Sequence, residues 1–423
     1  MRKILVDART PVNYTMFAPV HAAIEVRSLT YEVQSTTSNF VGRTSNSSES
    51  EGVRVYFTAS EEPSRLREIL NDAGPLAPLI HPARAALMRF DAYVTSDFMW
   101  TPLLHKTCRI QMFHGVGGKY GFDAPTESLR EWHRLFFVNR RRLNNCVAAG
   151  AIDADSPAVR LIGMPKVDCL VDGSLRRDAV LIALGLSPER PTVLYAPTWS
   201  PASSLNAMGI ELIERLLPLP INVIVKLHDR SRDPRARYSG GIDWAAKLRP
   251  YLSNGSTHLA ASADICPYLA AADVMVTDHS SAGFEYLLLD RPVVRIHMPE
   301  LITQANIHRD YVQLLADVSE STHAVDDTIA AVERALADPH ARSSARRAVA
   351  ADLFHEPGTA TRRCVAALYE AIGLESATTA TTPVATTATT PVASAFRRIT
   401  DGERDDEVRL KPDATDVSWR PSA

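Results

Sequence analysis

The sequence predicts an α/β fold with two Rossmann-like lobes that face a cleft. Short β-type runs alternate with segments of helical apolar spacing, which is the pattern of parallel sheets with crossover helices. The alternation occurs twice, in two series joined around residues 172–190. A chain of 423 residues, 45% of them hydrophobic, is long enough for two cores, since single cores stop growing at ~250–300 residues. We expect an N-terminal lobe at 1–172, a C-terminal lobe at 173–373 and a tail at 374–423.

The first series contains six short apolar runs with a helical segment between several of them. The segment 60–74 is one example, because Ser60 suits an N-cap position and Gly74 follows the last apolar residue of the helical spacing. The predicted strands are Ile4–Val6, Val53–Phe57, Tyr93–Thr95, Ile110–Phe113, Leu135–Val138 and Arg160–Ile162. Such alternation places the polar residues that follow each strand at one edge of a parallel sheet.

The second series consists of four apolar runs, PTVLYAPTWS, INVIVKLHD, DVMVTDHSS and RPVVRIHM, again separated by helical stretches. After Glu375 the chain enters a near-perfect octad repeat of Ala, Thr, Pro and Val, followed by a charged stretch to Ala423. This composition cannot bury enough apolar surface to fold alone, so we expect the tail to be disordered.

Charge and cysteine content exclude several classes of protein. The 46 Lys and Arg against 49 Asp and Glu leave a net charge of −3, which gives no general reason to bind nucleic acid. The five cysteines are widely spaced without a C-x-x-C pair, which is typical of free thiols in a reducing compartment. We expect no cofactor and no metal site, since the D-x-D sequence at Asp153–Asp155 precedes Ser-Pro and suits a turn.

The apolar runs are also too short for a membrane helix, which needs ~18 or more apolar residues. The start of the chain reaches Asp7 and Arg9 after a brief apolar run, unlike a signal peptide. We therefore expect a cytoplasmic protein that at most contacts the inner face of the membrane peripherally.

A polar cluster follows the predicted strand at 274–276. It contains Thr277, Asp278, His279, Ser280 and Ser281, and the next residues have helical spacing. Hydroxyl groups and the amide groups of a helix N-terminus together suit a phosphate or diphosphate. Ordinary N-capping by a serine explains this segment equally well.

Three further strand ends carry polar residues. In QMFHGVGGKYGF, His114 follows an apolar run, and glycines precede Lys119, so that main-chain amides and an ammonium group can approach a phosphate. In VIVKLHDRS, strand alternation places Lys226 and His228 on one face. In LYAPTWS, Thr198 and Trp199 end the first strand of the second series, and we expect that Trp to be a core residue.

Taken together, these segments resemble the CDP-glycerol glycerophosphotransferase family, the teichoic-acid primases and polymerases. FHGVGGK is similar to the family's H-G-x-x-x-K signature, LYAPTW to A-P-T-W/R, KLH to K-x-H, and TDHSSAGFE to T-D-Y-S-S-x-x-x-[DE]. IGMPKVD is similar to G-x-P-R-x-D at the end of the first lobe. The chain departs from these patterns at His279, Asp229 and the Val-Gly-Gly before Lys119.

The resemblance implies a GT-B-type fold and transfer of glycerol phosphate from CDP-glycerol, or a related nucleotide-activated polyol, to an acceptor hydroxyl with release of CMP. The acceptor would be a polyol phosphate or a glycolipid. His114 corresponds to the family's general base and His228 to its second essential histidine. The implied donor contacts are Lys119, Thr198, Lys226, Thr277, Asp278, Ser280, Ser281 and Glu285, the last at the acidic position that commonly holds a ribose.

Two other functions remain compatible with these residues. A GT-B glycosyltransferase or a nucleotide-sugar 2-epimerase would share the fold and the Glu285-type ribose contact while using a UDP-sugar. The sequence DARTPVNY replaces the early G-T-R-P-E loop of the epimerases, which disfavours that member of the pair. A binding protein without catalysis would keep the cleft and the nucleotide affinity but release no product.

Overall fold

The computed structural model describes residues 1–38, 52–59, 64, 66–67, 78–96, 101–119 and 127–374. The helix expected at 60–74 lies almost entirely outside these residues, and so does the tail after Leu374. The described residues form two six-stranded parallel sheets within one compact unit, Met1–Thr382. The predicted α/β class with two Rossmann-like lobes is therefore confirmed.

The first sheet has the strand order β2-β1-β3-β4-β5-β6. Its strands are β1 Arg2–Asp7, β2 Val53–Thr58, β3 Ala92–Thr95, β4 Cys108–Met112, β5 Arg134–Phe137 and β6 Val159–Leu161. The chain moves outward from β1 to β2 and then returns to β3 on the other side of β1. The observed bounds lie within two residues of those predicted from the sequence.

Helices cover the first sheet. They are α1 Pro11–Ser38, α2 Pro82–Leu87 and α3 Arg140–Ala148, with 3-10 helices at Glu127–Glu131 and Pro165–Leu170. The side chain of Asn139, which is fully buried, caps α3 by accepting a hydrogen bond from the backbone N–H of Arg142. The same side chain donates to the carbonyl oxygens of Val116 and Leu353, so it fixes the start of α3 against the loop after β4.

The second sheet has the strand order β12-β11-β10-β7-β8-β9. Its strands are β7 Thr192–Tyr195, β8 Asn222–Val225, β9 Thr257–Leu259, β10 Val274–Thr277, β11 Val293–Ile296 and β12 Glu320–Thr322. Every residue of β7, β8, β10 and β11 is buried, as expected of central parallel strands covered on both faces. From β7 the chain adds β8 and β9 on one side, and it then adds β10, β11 and β12 on the other side, so the strand order reverses between β7 and β10. The crevice at such a point is where open α/β sheets bind ligands.

The remaining helices surround the second sheet or return to the first. They are α4 Arg177–Ala183, α5 Ser204–Leu216, α6 Ala236–Ser239, α7 Trp244–Leu248, α8 Cys266–Ala271, α9 Ala282–Tyr286, α10 Pro299–Gln304, α11 Arg309–Val318, α12 Val325–Ala337, α13 Ser343–Leu353 and α14 Ala360–Ala371. Further 3-10 helices lie at Asp229–Arg232, Arg249–Tyr251 and Leu287–Leu289.

The last described helix, α14, packs against α1 and against the 3-10 helix Pro165–Leu170 of the first lobe. Asp168 fixes its start, because the carboxylate accepts hydrogen bonds from the backbone N–H groups of Gly358, Ala360 and Thr361. The end of the described part of the chain thus returns to the first lobe. The lobe boundaries at 172 and 373 stay a prediction.

Candidate active site

A cavity of about 550 Å³ lies between the carboxyl ends of the two sheets. Its first-lobe wall contains the loop after β4 together with Arg142 and Lys166, and its second-lobe wall contains the segments after β7, β8 and β10. Eight of the ten predicted site residues line it, namely His114, Lys119, Thr198, Lys226, His228, Ser280, Ser281 and Glu285. The other two, Thr277 and Asp278, are fully buried beneath it.

His114 is held in one tautomer by the backbone. Its Nδ1 lies 2.5 Å from the carbonyl oxygen of Ser96, at the end of β3. A carbonyl oxygen can only accept, so Nδ1 carries the hydrogen, and in the neutral ring Nε2 is the nitrogen with the lone pair. The hydroxyl of Ser96 in turn accepts a hydrogen bond of 2.7 Å from Asn13 of α1. This arrangement gives His114 the form that can accept a proton.

The glycines after His114 bring the loop close to α3. Gly117 and Gly118 have φ of +86° and +87°, values that favour glycine. A Cβ on Gly117 would lie 3.4 Å from the side chain of Arg142, whose guanidinium group stacks 4.0 Å above the ring of Phe113. The conformation therefore places a cationic side chain on the first-lobe wall, over the ring of the residue that precedes the histidine.

Lys119 ends this loop and reaches across the cavity. Its Nζ donates to the hydroxyl of Thr198, on the second-lobe wall, at 3.3 Å. Burial lowers the pKa of Lys119, and the carboxylate of Asp278 opposes that shift. An anion in the cavity would stabilise the charged form of this lysine further.

The tip of β8 carries Lys226 and His228. Burial lowers the pKa of Lys226 to about 8, while Asp229 acts in the opposite direction. Burial and the nearby cations, Lys226 first among them, lower the pKa of His228 to about 3, so this imidazole is neutral at pH 7. Its Nδ1 accepts a hydrogen bond from the backbone N–H of Arg230 at 3.1 Å. The neutral ring therefore carries its hydrogen on Nε2, which makes His228 a hydrogen-bond donor.

Two neighbours of this strand tip also line the cavity. Both carboxylate oxygens of Asp229 are buried and have no hydrogen-bond partner within the described ranges. Trp199 lies against the cavity, with Arg230 stacked 4.6 Å over its ring. The expectation that Trp199 is a core residue is wrong, because the loop after β7 turns outward toward the cavity.

The polar cluster after β10 contains two kinds of residue: some hold a neighbouring loop in place and others face the cavity. The hydroxyl of Thr277 donates to the carbonyl of Ala196, and the carboxylate of Asp278 accepts hydrogen bonds from the backbone N–H groups of Thr198 and Ser204 and from the hydroxyl of Ser204. These two residues thus hold the loop after β7 in place. His279 is also buried, and burial and Arg295 lower its pKa to about 3.

Ser280 and Ser281 are the members of the cluster that face the cavity. Ser280 Oγ accepts a hydrogen bond of 3.4 Å from the backbone N–H of Ala282. Ser281 occupies the N-cap position of α9 but makes no capping hydrogen bond with its side chain. Because α9 has only five residues before a 3-10 turn, its dipole is short, and the hydroxyls and nearby cations matter more than the helix end.

Glu285 forms an ion pair that the sequence did not suggest. Both of its oxygens accept hydrogen bonds from Nζ of Lys166, at 2.7 and 2.9 Å. Burial alone would lower the pKa of Lys166, but the Glu285 carboxylate outweighs that effect and the pKa lies above its ordinary value. This pair connects the segment after the first sheet to the second lobe across one end of the cavity.

Three charged residues of the cavity, Lys166, Asp229 and Arg142, were not among the predicted site residues. Lys166 lies in the IGMPKVD segment that resembles a family motif, which was the available signal. Asp229 was visible only as a departure from the K-x-H pattern. Arg142 carried no signal, since it lies on a short helix whose residues match no motif.

Neither a metal cluster nor a membrane helix is found in the part of the chain that the structure describes. No group of three or more His, Cys, Asp or Glu side chains there is arranged to hold a metal ion. None of the described helices is long and apolar enough to cross a membrane.

Two parallel sheets facing one cavity are the architecture of GT-B-like proteins, and solved structures share it. The wall teichoic acid polymerase TagF aligns with a TM-score of 0.60 and 12% identity, over 88% of this chain and 89% of that one. A TagF variant soaked with CDPG aligns with a TM-score of 0.58 and 15% identity, over 88% of each chain. A putative UDP-N-acetylglucosamine 2-epimerase from Listeria monocytogenes aligns with a TM-score of 0.53 and 14% identity, over 87% and 96%.

The fold alone does not distinguish the families that share it, but a family sequence model does. The model of the CDP-Glycerol:Poly(glycerophosphate) glycerophosphotransferase family matches residues 43–370, which is most of the chain. The chain therefore belongs to this family, as the motifs predicted. A search of curated protein sequences gave no match.

Proposed function

We propose that this protein transfers glycerol phosphate, or a related polyol phosphate, from CDP-glycerol to an acceptor hydroxyl and releases CMP. The observation that carries the proposal is the pairing of two histidines with opposite hydrogen-bonding roles in one cavity of a chain from this family. His114 presents an acceptor nitrogen and His228 a donor nitrogen, and each role is fixed by the backbone.

In the proposed reaction the acceptor oxygen attacks the phosphorus that carries glycerol. The hydroxyl proton passes to Nε2 of His114, and the bond between that phosphorus and the bridging oxygen breaks as CMP leaves. A hydroxyl is a poor nucleophile at neutral pH, so a positioned imidazole is the suitable proton acceptor. His228, as a donor, and Lys226, as a cation, would stabilise the charge that develops on the leaving phosphate.

The charge of the cavity supports a diphosphate donor. The walls carry the cations Lys119, Arg142, Lys166 and Lys226 and the anions Asp229 and Glu285. Among the described residues of the walls the cations outnumber the anions, even when the buried Asp278 carboxylate that faces Lys119 is counted with them, and this favours an anionic group such as the diphosphate of the donor. Ser280 and Ser281 add neutral donors at the same place.

A nucleotide panel tests this proposal. Thermal unfolding is measured with CDP-glycerol, CDP-ribitol, UDP-N-acetylglucosamine, CMP and UMP. A ligand present at about one hundred times its dissociation constant stabilises a protein by about 2.7 kcal/mol. We expect CDP-glycerol or CDP-ribitol to stabilise most, and CMP more than UMP.

The alternative is a transferase or epimerase that uses a UDP-sugar, and the shared fold of the epimerases favours it over other classes. Greater stabilisation by UDP-N-acetylglucosamine than by either CDP-polyol would support that alternative. Stabilisation by CDP-glycerol without CMP release, in the presence of acceptor candidates, would instead support a binding protein without catalysis.

We further infer that the first lobe contacts an anionic membrane surface, where a polyol-phosphate or glycolipid acceptor would be found. Leu87 and Leu104 are 68% and 73% exposed, and they lie together because the backbone N–H of Leu104 donates to Ala86. The neighbouring segments 78–90 and 101–109 contain no acidic residue, while Arg84, Arg89, Lys106 and Arg109 are exposed or half-buried there. Exposed leucines within a cationic rim suit anionic lipid headgroups.

Sedimentation with lipid vesicles tests this surface. We expect binding to phosphatidylglycerol vesicles and not to phosphatidylcholine vesicles. The double variant Leu87→Ser with Leu104→Ser should lose this binding, whereas Ile182→Ser, at a residue that is 67% exposed outside the patch, should keep it. Equal binding by all three proteins would overturn the assignment.

A further inference from the structure

Two cysteines from different parts of the chain meet beside the cavity. Cys169 lies in the 3-10 helix Pro165–Leu170 that follows the first sheet, and Cys266 begins α8 of the second lobe. Both thiols donate to one acceptor, the carbonyl oxygen of Lys166, at distances of 3.5 and 3.3 Å. The two sulfur atoms are therefore close neighbours, although no disulfide joins them.

The two thiols differ in their exposure to solvent. Cys266 is completely buried, whereas Cys169 is partly exposed. Contact with the Cys169 thiol and burial raise the pKa of Cys266 well above its ordinary value. A reagent from solution therefore reaches Cys169 first, and Cys266 is positioned to react second. An accessible cysteine beside a resolving one is the arrangement of many redox-sensitive pairs.

The pair lies directly beside the walls of the proposed active site. Lys166, whose carbonyl binds both thiols, forms the ion pair with Glu285 inside the cavity. Ile265, the residue before Cys266, also lines the cavity. The Lys166–Glu285 contact can open when the lobes separate, but a covalent bond at the same junction cannot.

We propose that Cys169 and Cys266 are an oxidation site, at which a small-molecule disulfide oxidises the two thiols to a protein disulfide that joins the two lobes and slows turnover. The Cys169 thiolate attacks glutathione disulfide, forming a mixed disulfide and releasing one glutathione thiolate. Cys266 then attacks the Cys169 sulfur, its proton passes to the released thiolate, and the second glutathione departs as a thiolate that takes up the proton Cys169 had lost to solvent. Two protein thiols and one glutathione disulfide thus yield one protein disulfide and two glutathione thiols, with no other reactant.

The test uses the full chain, oxidised with glutathione disulfide and compared with three variants, Cys169→Ser, Cys266→Ser and Cys108→Ser. Cys108 is a matched control because it is also partly exposed and lies away from the pair. In the unchanged protein and in Cys108→Ser we expect a linked 169–266 peptide, a mass loss of two hydrogen atoms and a higher denaturant midpoint. Dithiothreitol should reverse all three changes, and neither Cys169→Ser nor Cys266→Ser should show them.

The effect of the disulfide on turnover is measured separately. Turnover of the oxidised protein should fall and return with dithiothreitol, while Cys169→Ser keeps its turnover under the same oxidation. Absence of the linked peptide, or glutathione retained on Cys169 alone, would overturn the oxidation site. A linked protein with unchanged turnover would overturn the effect on the reaction. The peptide map needs no substrate, so failure of this proposal is distinguishable from failure of the proposed transferase activity.

Discussion

At the scale of single residues, the backbone decides what each histidine can do. The Ser96 carbonyl fixes the hydrogen of His114 on Nδ1, and the Arg230 amide fixes that of His228 on Nε2. Two imidazoles in one cavity therefore have opposite hydrogen-bonding roles, one as acceptor and one as donor. The sequence could show that both histidines follow strands, but it could not show which nitrogen of each ring faces the backbone.

The first prediction concerns the proposed base. Replacing His114 by alanine should leave donor binding nearly unchanged and lower kcat by roughly 10²–10⁴, the range typical of a positioned general base. His228→Ala should instead raise KM for the donor as well as lower kcat, since His228 would contact phosphate in both ground and transition states. Steady-state kinetics with thermal unfolding as a folding control would measure this. A stable His114→Ala protein with near-normal kcat would refute the role.

The second prediction concerns the ion pair between Lys166 and Glu285. Their side chains are 10% and 8% exposed, so Lys166→Met leaves a carboxylate buried without its partner. Loss of one partner of a buried pair costs about 3–5 kcal/mol, whereas replacing both costs less. We expect the double variant Lys166→Met with Glu285→Gln to be more stable than Lys166→Met alone in urea unfolding. Additive losses would show that the pair does not couple.

At the scale of elements, strand tips were predictable and the loops that cover them were not. Alternation in the sequence located β4, β7, β8 and β10, and their polar residues meet at one cavity as expected. The family resemblance implied donor contacts throughout the cluster after β10, at Thr277, Asp278, Ser280 and Ser281. In the structure Thr277 and Asp278 bind the loop after β7 instead. Whether a polar group contacts ligand or backbone depends on a loop some 80 residues away in sequence, which local patterns do not encode.

The third prediction follows from this division. Ser280→Ala with Ser281→Ala should weaken binding of the CDP-polyol without unfolding the protein, because these hydroxyls line the cavity and support little else. Asp278→Ala should instead destabilise the fold, since it leaves three donors of the covering loop without their acceptor. Isothermal titration and urea unfolding separate the two effects. Unchanged donor affinity in the double serine variant would remove these hydroxyls from the site.

At the scale of the whole molecule, the two-lobed fold was predictable because each series of strands and helices repeats a local pattern. The return of α14 to the first lobe was not, since it rests on Asp168 and on packing against α1, contacts far apart in sequence. The same is true of the contact between Lys166 and Glu285. The low apolar content of the tail, by contrast, is visible directly in the composition of the sequence.

The fourth prediction concerns stability at low pH. The pKa values of His228 and His279 are each lowered to about 3 by burial, so both are neutral in the folded state, whereas the unfolded chain protonates near 6.5. Stability should therefore be full above pH 6.5 and fall progressively as the pH drops toward 3. Urea unfolding at several pH values would measure the slope. His279→Gln should reduce it, while His340→Gln, at an exposed histidine, should leave it unchanged.

The most direct measurement of the central claim is identification of the products. The protein is incubated with CDP-glycerol and an acceptor that ends in glycerol phosphate, and both products are quantified by mass spectrometry. We expect CMP and an acceptor extended by one or more glycerol phosphate units, with the added units equal in number to the CMP molecules, and neither product in appreciable amount with His114→Ala. Absence of CMP from this incubation, with consumption of UDP-N-acetylglucosamine in a parallel one, would contradict the central claim.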